Sequence, residues 1–365
     1  MLRRTHADLK AVFQSAIDAV NGRALVRNAL TEAEGTTSDR IWILGFGKAA
    51  LSMAEGALDA LGSRVTGGIV IVPDGYARPL PDLMVREAGH PIPDARGLSA
   101  TRELLSIAEQ AQEGDLVLVL VSGGGSALLV APDPSLTLDQ LAELTRRHLA
   151  AGTPIHELNA IRRRVSRVKG GRLDDRIAPA RMISLGLSDV PDDTPQWLAS
   201  GPTRNVRIVG NLDMAMTAAS QRAEALGYAT TVHPERLSGE ARTVGAQFGA
   251  LEILPGSCHI WGGETTVTVT GPGVGGRSQE LALSAAIHIQ DDRVLLAAGT
   301  DGIDGPTTVA GALVDRSTVC APDEAERHLA NNDSWTYLNA VDHHLETGPT
   351  ETNVADLVIL ARPRT

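Results

Sequence analysis

The stretch DLVLVLVSGGGSALLVA, residues 115–131, decides the fold class of this chain. An apolar, strand-like run leads straight into Ser122-Gly123-Gly124-Gly125-Ser126, and the residues beyond read as the start of a helix. Three consecutive glycines remove every Cβ from the bend, so the backbone can come close to a ligand. The N–H groups of such a strand-to-helix turn form a ready-made anion site. A phosphate or a carboxylate is the first ligand to consider, and a tight turn without any ligand is the plain alternative. The stretch is neither G-x-x-x-x-G-K-[ST] nor a G-x-S-x-G elbow, so it names no nucleotide and no nucleophile.

Working outward, the same unit recurs. IWILGFGKAA, residues 41–50, is an apolar strand entering a glycine turn, and GGIVIVP, residues 67–73, is another buried strand. Apolar residues near a 3.6 period predict a helix over 5–31, and an amphipathic helix is expected over 99–112. MISLGLSDV, residues 182–190, is a further strand ending at Ser188-Asp189. Strands alternating with helices predict an α/β fold with a Rossmann-like, doubly wound parallel sheet, with ligands beyond the carboxyl ends of the strands.

From about residue 257 the texture changes. HIWGGETTVTVTG reads as a period-2 strand, GPGVGGRSQE as a glycine-dense loop, and ELALSAAIHI as a helix. VLLAAGTDGIDGPT, residues 294–307, is a buried strand entering a loop with two aspartates. A second, smaller α/β domain is expected, with boundaries at 1–235 and 236–365 and the active site in the cleft between the two. The 365-residue length suits two cores better than one.

Composition removes several classes of function. With aromatics at 3% and a net charge of −11, neither a stacking platform for single strands nor a general nucleic-acid surface is expected. The 2 cysteines, Cys258 and Cys320, offer no disulfide framework and suit a reducing compartment. No apolar run approaches the ~18 residues of a membrane span, and the N-terminal sequence lacks a signal-peptide core, so a cytoplasmic protein without membrane partners is expected.

Within this acidic chain the positive charge is local. Arg162, Arg163, Arg164, Arg167, Lys169 and Arg172 fall together in NAIRRRVSRVKGGRL, residues 159–173. As a helix, this run would put Arg163 and Arg167 on one face and end at Gly170-Gly171 with Lys169 at its tip. Such a run is also what a solvated face looks like. Lys48 follows Gly45-Phe46-Gly47 at a strand-to-helix turn, where it can reach a bound anion. Arg277, in GGRSQE, carries the fork that suits a carboxylate or a phosphate. Asp189, Asp301 and Asp304 follow apolar strands and are candidates for Mg2+ coordination or proton abstraction, although aspartate beside glycine is also turn chemistry. Glu264 sits among glycines as a support for a ligand loop. The 10 histidines show no metal spacing.

Taken in order, GFGKAA (45–50), VSGGGSALL (121–129), LNAIRRRVSRVKGGRL (158–173), LSDVPDD (187–193), ASGPT (199–203), GGETTVTVTGPGVGGRSQE (262–280), GTDGIDGPT (299–307), NNDSWTYL (331–338) and TGPTETNVADL (347–357) resemble the glycerate 2-kinase family, which joins an N-terminal glycerate kinase domain to a C-terminal MOFRL domain. The resemblance implies a kinase that uses ATP and Mg2+ to phosphorylate the 2-hydroxyl of D-glycerate. It implies that Lys48 and Arg277 serve as the catalytic or substrate-anion pair, with glycerate's carboxylate between them. Ser122, Gly123, Gly124, Gly125 and Ser126 would hold anionic groups, and Lys169, Gly170 and Gly171 would flank the phosphates, with Glu264 and Asp301 as further binding residues. Asp189 would serve the metal or the hydroxyl proton, with Asp304 as a second metal ligand. Small molecules are the expected partners, and a homodimer is the candidate assembly.

Some relatives carry the label hydroxypyruvate reductase, a reading that requires an NAD(P)H site, and no G-x-G-x-x-G fingerprint occurs. A kinase relative that binds small acids without catalysis is the other alternative. One departure stands out: the family usually carries several tens of residues after ASGPT, and here GPTRNVRIVGN leaves almost no room for them.

Overall fold

The computed structural model describes residues 2–32, 38, 40–151, 155–190 and 192–364, so Pro191 of the LSDVPDD segment lies outside the described residues. Strands β1 (Ile41–Phe46), β2 (Val65–Pro73), β3 (Met84–Ala88), β4 (Leu116–Ser122), β5 (Arg181–Leu187) and β6 (Arg207–Gly210) form one sheet in the order β3-β2-β1-β4-β5-β6. Every neighbouring pair is parallel. All seven residues of β4 are buried, as a strand covered by helices on both faces requires. Phe46, Ile71, Val119 and Val121 pack with Leu104 and Leu128 in the core of this unit. The doubly wound parallel sheet is as the sequence predicts.

The strand order reverses between β1 and β4, which lie side by side at its centre. In open α/β sheets the crevice at such a reversal is where ligands bind. The glycine turns after β1 and β4 both sit there.

A second sheet contains β7 (Ala229–Val232), β8 (Ser257–Gly263), β9 (Val294–Gly299), β10 (Gly311–Asp315), β11 (His344–Leu345) and β12 (Asp356–Ala361), in the order β11-β10-β9-β12-β8-β7. Only β7 and β8 pair in parallel; the other neighbours are antiparallel. Leu281, Leu295, Val314, Leu338 and Val358 belong to its core.

Two sequence expectations shift. The helix expected over 5–31 is two helices, Leu2–Ala19 and Gly22–Thr31, because the Asn21 side chain caps the second by accepting from the amide of Ala24 at 3.0 Å. The period-2 strand beginning at His259 ends at Gly263. Beyond it the chain turns to residues 239–240: the Thr266 amide donates to Gly239, and the Glu240 carboxylate accepts from the amide and hydroxyl of Thr268.

The division of the chain also differs from a cut after residue 235. One unit comprises Val20–Asn211 and Glu351–Val354. The other comprises the residues up to Ala19, Leu212–Thr350 and the residues from Ala355. Helix Leu212–Ala225 buries Leu212, Ala215, Met216, Ala219 and Ala223 and packs on β7, β8 and helix Leu2–Ala19, which ties the N-terminal helix to the second sheet. Among the described residues no helix is long and apolar enough to cross a membrane.

Candidate functional site

Two loops meet at the strand reversal of the parallel sheet. In the turn after β1, the amide of Gly47 donates to Ile71 at 3.1 Å and that of Lys48 to Gly123 at 2.9 Å. The amide of Ala49 donates to the Ser122 hydroxyl at 3.0 Å, and that of Ala50 to Gly47 at 3.2 Å. Gly47 has φ +124, and a Cβ there would lie 2.2 Å from the Ser122 hydroxyl oxygen. Gly45-x-Gly47-x-x-Ala50 does fit the relaxed dinucleotide fingerprint with alanine last. Yet all four amides of the turn are committed to the protein, and none is left for a pyrophosphate. Ser122, expected to hold an anion, is fully buried and locks the two turns together instead.

The turn after β4 is different. The amides of Gly124, Gly125 and Ser126 have no hydrogen-bond acceptor among the described residues. Lys48 is half-buried just ahead of helix Ala50–Leu61, and its Cγ would be 3.4 Å from a Cβ on Gly124. A Cβ on Gly123 would fall 2.1 Å from both Asp189 Oδ2 and Asn353 Nδ2. Only glycine lets the backbone pass so close to this pair. Asn353 Nδ2 donates to Asp189 Oδ2 at 3.1 Å. Unspent amides, a lysine and a carboxylate therefore meet around Gly123 and Gly124.

The basic segment takes another course. Its helix is Ile155–Arg164 and does not reach Gly170. Residues 165–167 pair with 131–133 instead: the amide of Asp133 donates to Val165, and that of Arg167 donates to Ala131. Arg163 lies over the Trp197 ring, 5.3 Å from its centroid, and does not share a helical face with Arg167. Gly170 and Gly171 donate their amides to Ser200 and Gly201 at 3.3 and 2.8 Å, so these two glycines do not flank a phosphate with free N–H groups. The segment that receives them is strained, with φ of +49 at Ala199 and +63 at Ser200. Ser200 in turn bonds Ser126 at 2.7 Å and Asn159 at 2.8 Å. Lys169 is buried, not held at a helix tip, and its Nζ donates to the carbonyl of Leu129.

In the unit with the second sheet, Arg277 opens helix Arg277–His288. Its Nε and Nη2 grip Asp356 at 2.5 and 2.9 Å, and Nη2 also donates to Glu264 at 2.8 Å. Against the cost of burial, Asp356 and then Glu264 hold the guanidinium protonated. Burial pushes the Asp356 carboxyl up, and the charge and hydrogen bonds of Arg277 oppose it. The expected carboxylate fork is therefore already filled by the protein's own carboxylates, leaving Nη1 to donate.

The Asp304 carboxylate is engaged by the protein itself. Its carboxylate accepts from the amides of Ser278 and Gln279 at 3.1 and 2.8 Å and from Gln279 Nε2 at 3.0 Å, which caps the helix that Arg277 begins. Asp301 turns Oδ1 back to the amide of Ile303 at 3.1 Å, the turn chemistry of aspartate before glycine. Among the described residues no three His, Cys, Asp or Glu side chains are grouped to hold a metal.

Asn353, Asp356, Arg162 and His90 are the residues that sequence reasoning did not single out as site residues. Asn353 and Asp356 lie in TETNVAD, whose polar residues inside an apolar context were the available signal. The exposed His90 ring lies beside Gly124, whose Cβ would be 3.2 Å from it.

A doubly wound unit with unspent amides, a lysine and a carboxylate at its strand reversal defines a class of α/β proteins that handle small anionic ligands. Comparison with known proteins narrows the class. Residues 8–219 match the family described as "Domain of unknown function (DUF4147)", and residues 257–356 match the MOFRL family. D-glycerate 2-kinase of Thermotoga maritima is 35% identical over 95% of this chain and 96% of that protein. Glycerate 2-kinase of Pyrococcus horikoshii is 32% identical over 97% of this chain and 93% of that protein. The crystal structure of glycerate kinase from Thermotoga maritima superposes with a TM-score of 0.86 at 33% identity, covering 98% of this chain and 99% of that one. This chain belongs to the glycerate 2-kinase family.

Proposed function

We infer that the protein is a kinase that transfers the γ-phosphoryl group of ATP to the 2-hydroxyl of D-glycerate, giving 2-phosphoglycerate and ADP. The observation that carries this reading is the contrast between the two turns at the strand reversal. The amides after β1 are all spent, whereas those of Gly124, Gly125 and Ser126 are not, and Lys48 and Asp189 lie beside them. The same contrast speaks against an NAD(P)H-dependent reductase, whose pyrophosphate would need the amides of the first turn.

Phosphoryl transfer needs positioned oxygens and neutralised charge more than covalent help from the protein. In this reading the Gly124–Ser126 amides and Lys48 hold the phosphates. Asp189, oriented by Asn353, accepts the proton of the 2-hydroxyl as its oxygen bonds to the γ-phosphorus and the bond to the β-phosphate oxygen breaks. Arg277, held by Asp356 and Glu264 in the unit of the second sheet, keeps Nη1 as a donor for an anion.

Mg2+ is commonly held by one or two carboxylates, with water and substrate phosphates completing its shell. Asp189 beside the glycine turn fits that limited role; Asp304, with its oxygens spent on the helix cap, does not. When bound, the ion would offset charge on the phosphates.

The test is ADP release with D-glycerate present and absent. Lys48→Ala should lower kcat/KM by at least about tenfold, or about 1.4 kcal/mol. Asp189→Asn should reduce kcat by about 100-fold or more with KM for ATP little changed. Near-normal kinetics in either variant would remove that residue from the mechanism.

A further inference from the structure

A small cavity lies within the parallel-sheet unit, behind Ser126 at the end of the glycine turn. Arg162, Ser166 and Lys169 face it together with Ser126, and Val130 and Leu141 are among its apolar walls. Both cations are more than nine-tenths buried, with 9% of Arg162 and 4% of Lys169 exposed. Arg162 has no hydrogen-bond or ion-pair partner among the described residues. Lys169 spends one of its three donors on the Leu129 carbonyl. Ser166 accepts from the amides of Val168 and Lys169, each at 3.3 Å, which leaves its own O–H to donate.

Two adjacent buried cations without a carboxylate are costly, because each loses water and repels the other. Burial alone lowers the Arg162 pKa to about 10. Burial and then the Arg162 charge lower that of Lys169 to about 7. By contrast the buried Arg293, 5% exposed, is matched by Asp291 at 2.5 Å. The unmatched pair is what an anion subsite looks like before its anion arrives.

We propose that this cavity receives the carboxylate of the hydroxy-acid substrate, with the Arg162 fork as its main partner and Lys169 and Ser166 completing the set. The size of the cavity favours a carboxylate over a phosphoryl group. Its volume is about 20 Å³, room for one or two water-sized centres. That accommodates the planar end of a carboxylate, which a guanidinium meets edge to edge. A tetrahedral phosphoryl group with three terminal oxygens is the bulkier of the two anions. Ser126 belongs both to the cavity wall and to the turn, so an acid anchored here lies next to the amides assigned to phosphate. The assignment takes over the role expected of Arg277, whose Nε–Nη2 edge is already gripped by Asp356 and Glu264. It rests on the kinase reading for the identity of the acid, but not for the sign of the ligand's charge.

The experiment is steady-state kinetics together with calorimetric binding of D-glycerate in the absence of ATP, on the full chain. Arg162→Met should raise KM for D-glycerate by about tenfold or more while KM for ATP stays within about twofold, and Arg162→Lys should recover part of the loss. Binding of D-glycerate alone should weaken in parallel. An unchanged KM for D-glycerate overturns the proposal, as does a rise in KM for ATP instead, which would make the cavity a phosphoryl site. Should Arg162→Met fail to accumulate as folded protein, Ser166→Ala carries the same reading with a severalfold rise in KM for D-glycerate, and no rise overturns it. If the wild-type protein forms no phosphorylated product, the kinase reading falls. The cavity is then judged by calorimetry with D-glycerate and acetate, where equal affinity in wild type and Arg162→Met overturns it.

Discussion

Asn353 and Asp189, 164 positions apart in sequence, are joined side chain to side chain at 3.1 Å over the bare backbone of Gly123. The contact exists because Glu351–Val354 returns to the parallel-sheet unit after the chain has built most of the second one. Thr352 fixes that return by donating its hydroxyl to the carbonyl of Val20 at 2.7 Å. The carboxylate assigned to the hydroxyl proton is thus oriented by the far end of the sequence.

Removing the orienting amide should affect chemistry more than binding. Asn353→Ala is expected to lower kcat by about tenfold or more, with KM for ATP within about threefold and a melting temperature near that of wild type. Kinetics with both substrates varied check this, and a loss confined to KM would contradict it.

Gly123→Ala tests the close approach itself. The added methyl would lie 2.1 Å from Asp189 Oδ2 and Asn353 Nδ2, so one of the two must move. Activity should fall by about 100-fold or more, while far-UV circular dichroism stays native. An active Gly123→Ala protein would show that the pair's position does not matter.

The two carboxylates on Arg277 should be unequal for stability. Asp356 has a side chain 7% exposed and binds through two bonds, whereas Glu264 is 42% exposed and accepts one. Asp356→Ala leaves a partly exposed guanidinium with Glu264 alone and should cost about 1–3 kcal/mol. Glu264→Gln should cost under about 1 kcal/mol. Urea unfolding measures both, and equal costs would contradict the geometry.

Lys169 gives a pH signature of the same sign as acid denaturation but displaced to neutral and alkaline pH. An ordinary lysine keeps its proton up to 10.5, while burial and the neighbouring Arg162 bring Lys169 to about 7. Between these values the unfolded chain binds more protons, so the cost of burying Lys169 is full below about pH 7 and fades as pH rises toward 10.5. Lys169→Met should therefore stabilise the protein at about pH 6 and lose that advantage by about pH 10. The difference is a few kcal/mol, on the order of 3–4. A pH-independent effect of the substitution would place Lys169 in an ordinary ionised state.

The fold was readable because short apolar runs alternating with helices announce parallel strands: those from 41 and 115 run into glycine turns, that from 67 ends at Pro73, and that from 182 ends at Ser188-Asp189. Lys48, Asp189 and the glycine turn were legible for the same reason: each sits at the carboxyl end of such a strand. Arg162 could not be told from Arg163 by spacing, since its role depends on where residues 165–167 pair with 131–133. Asp304 resembled a ligand because aspartate beside glycine looks alike whether it binds a metal or caps a helix. The partners of Asp189 and Arg277 come from 353 and 356, contacts of long sequence separation that no local pattern encodes.

Phosphorus NMR of the purified protein with Mg-ATP and D-glycerate reads the acceptor and the position of transfer together. A 2-phosphoglycerate resonance is expected to grow with that of ADP. A 3-phosphoglycerate resonance would keep the kinase and overturn the positioning of the 2-hydroxyl, and ATP left intact beside unchanged D-glycerate would contradict the proposed function itself.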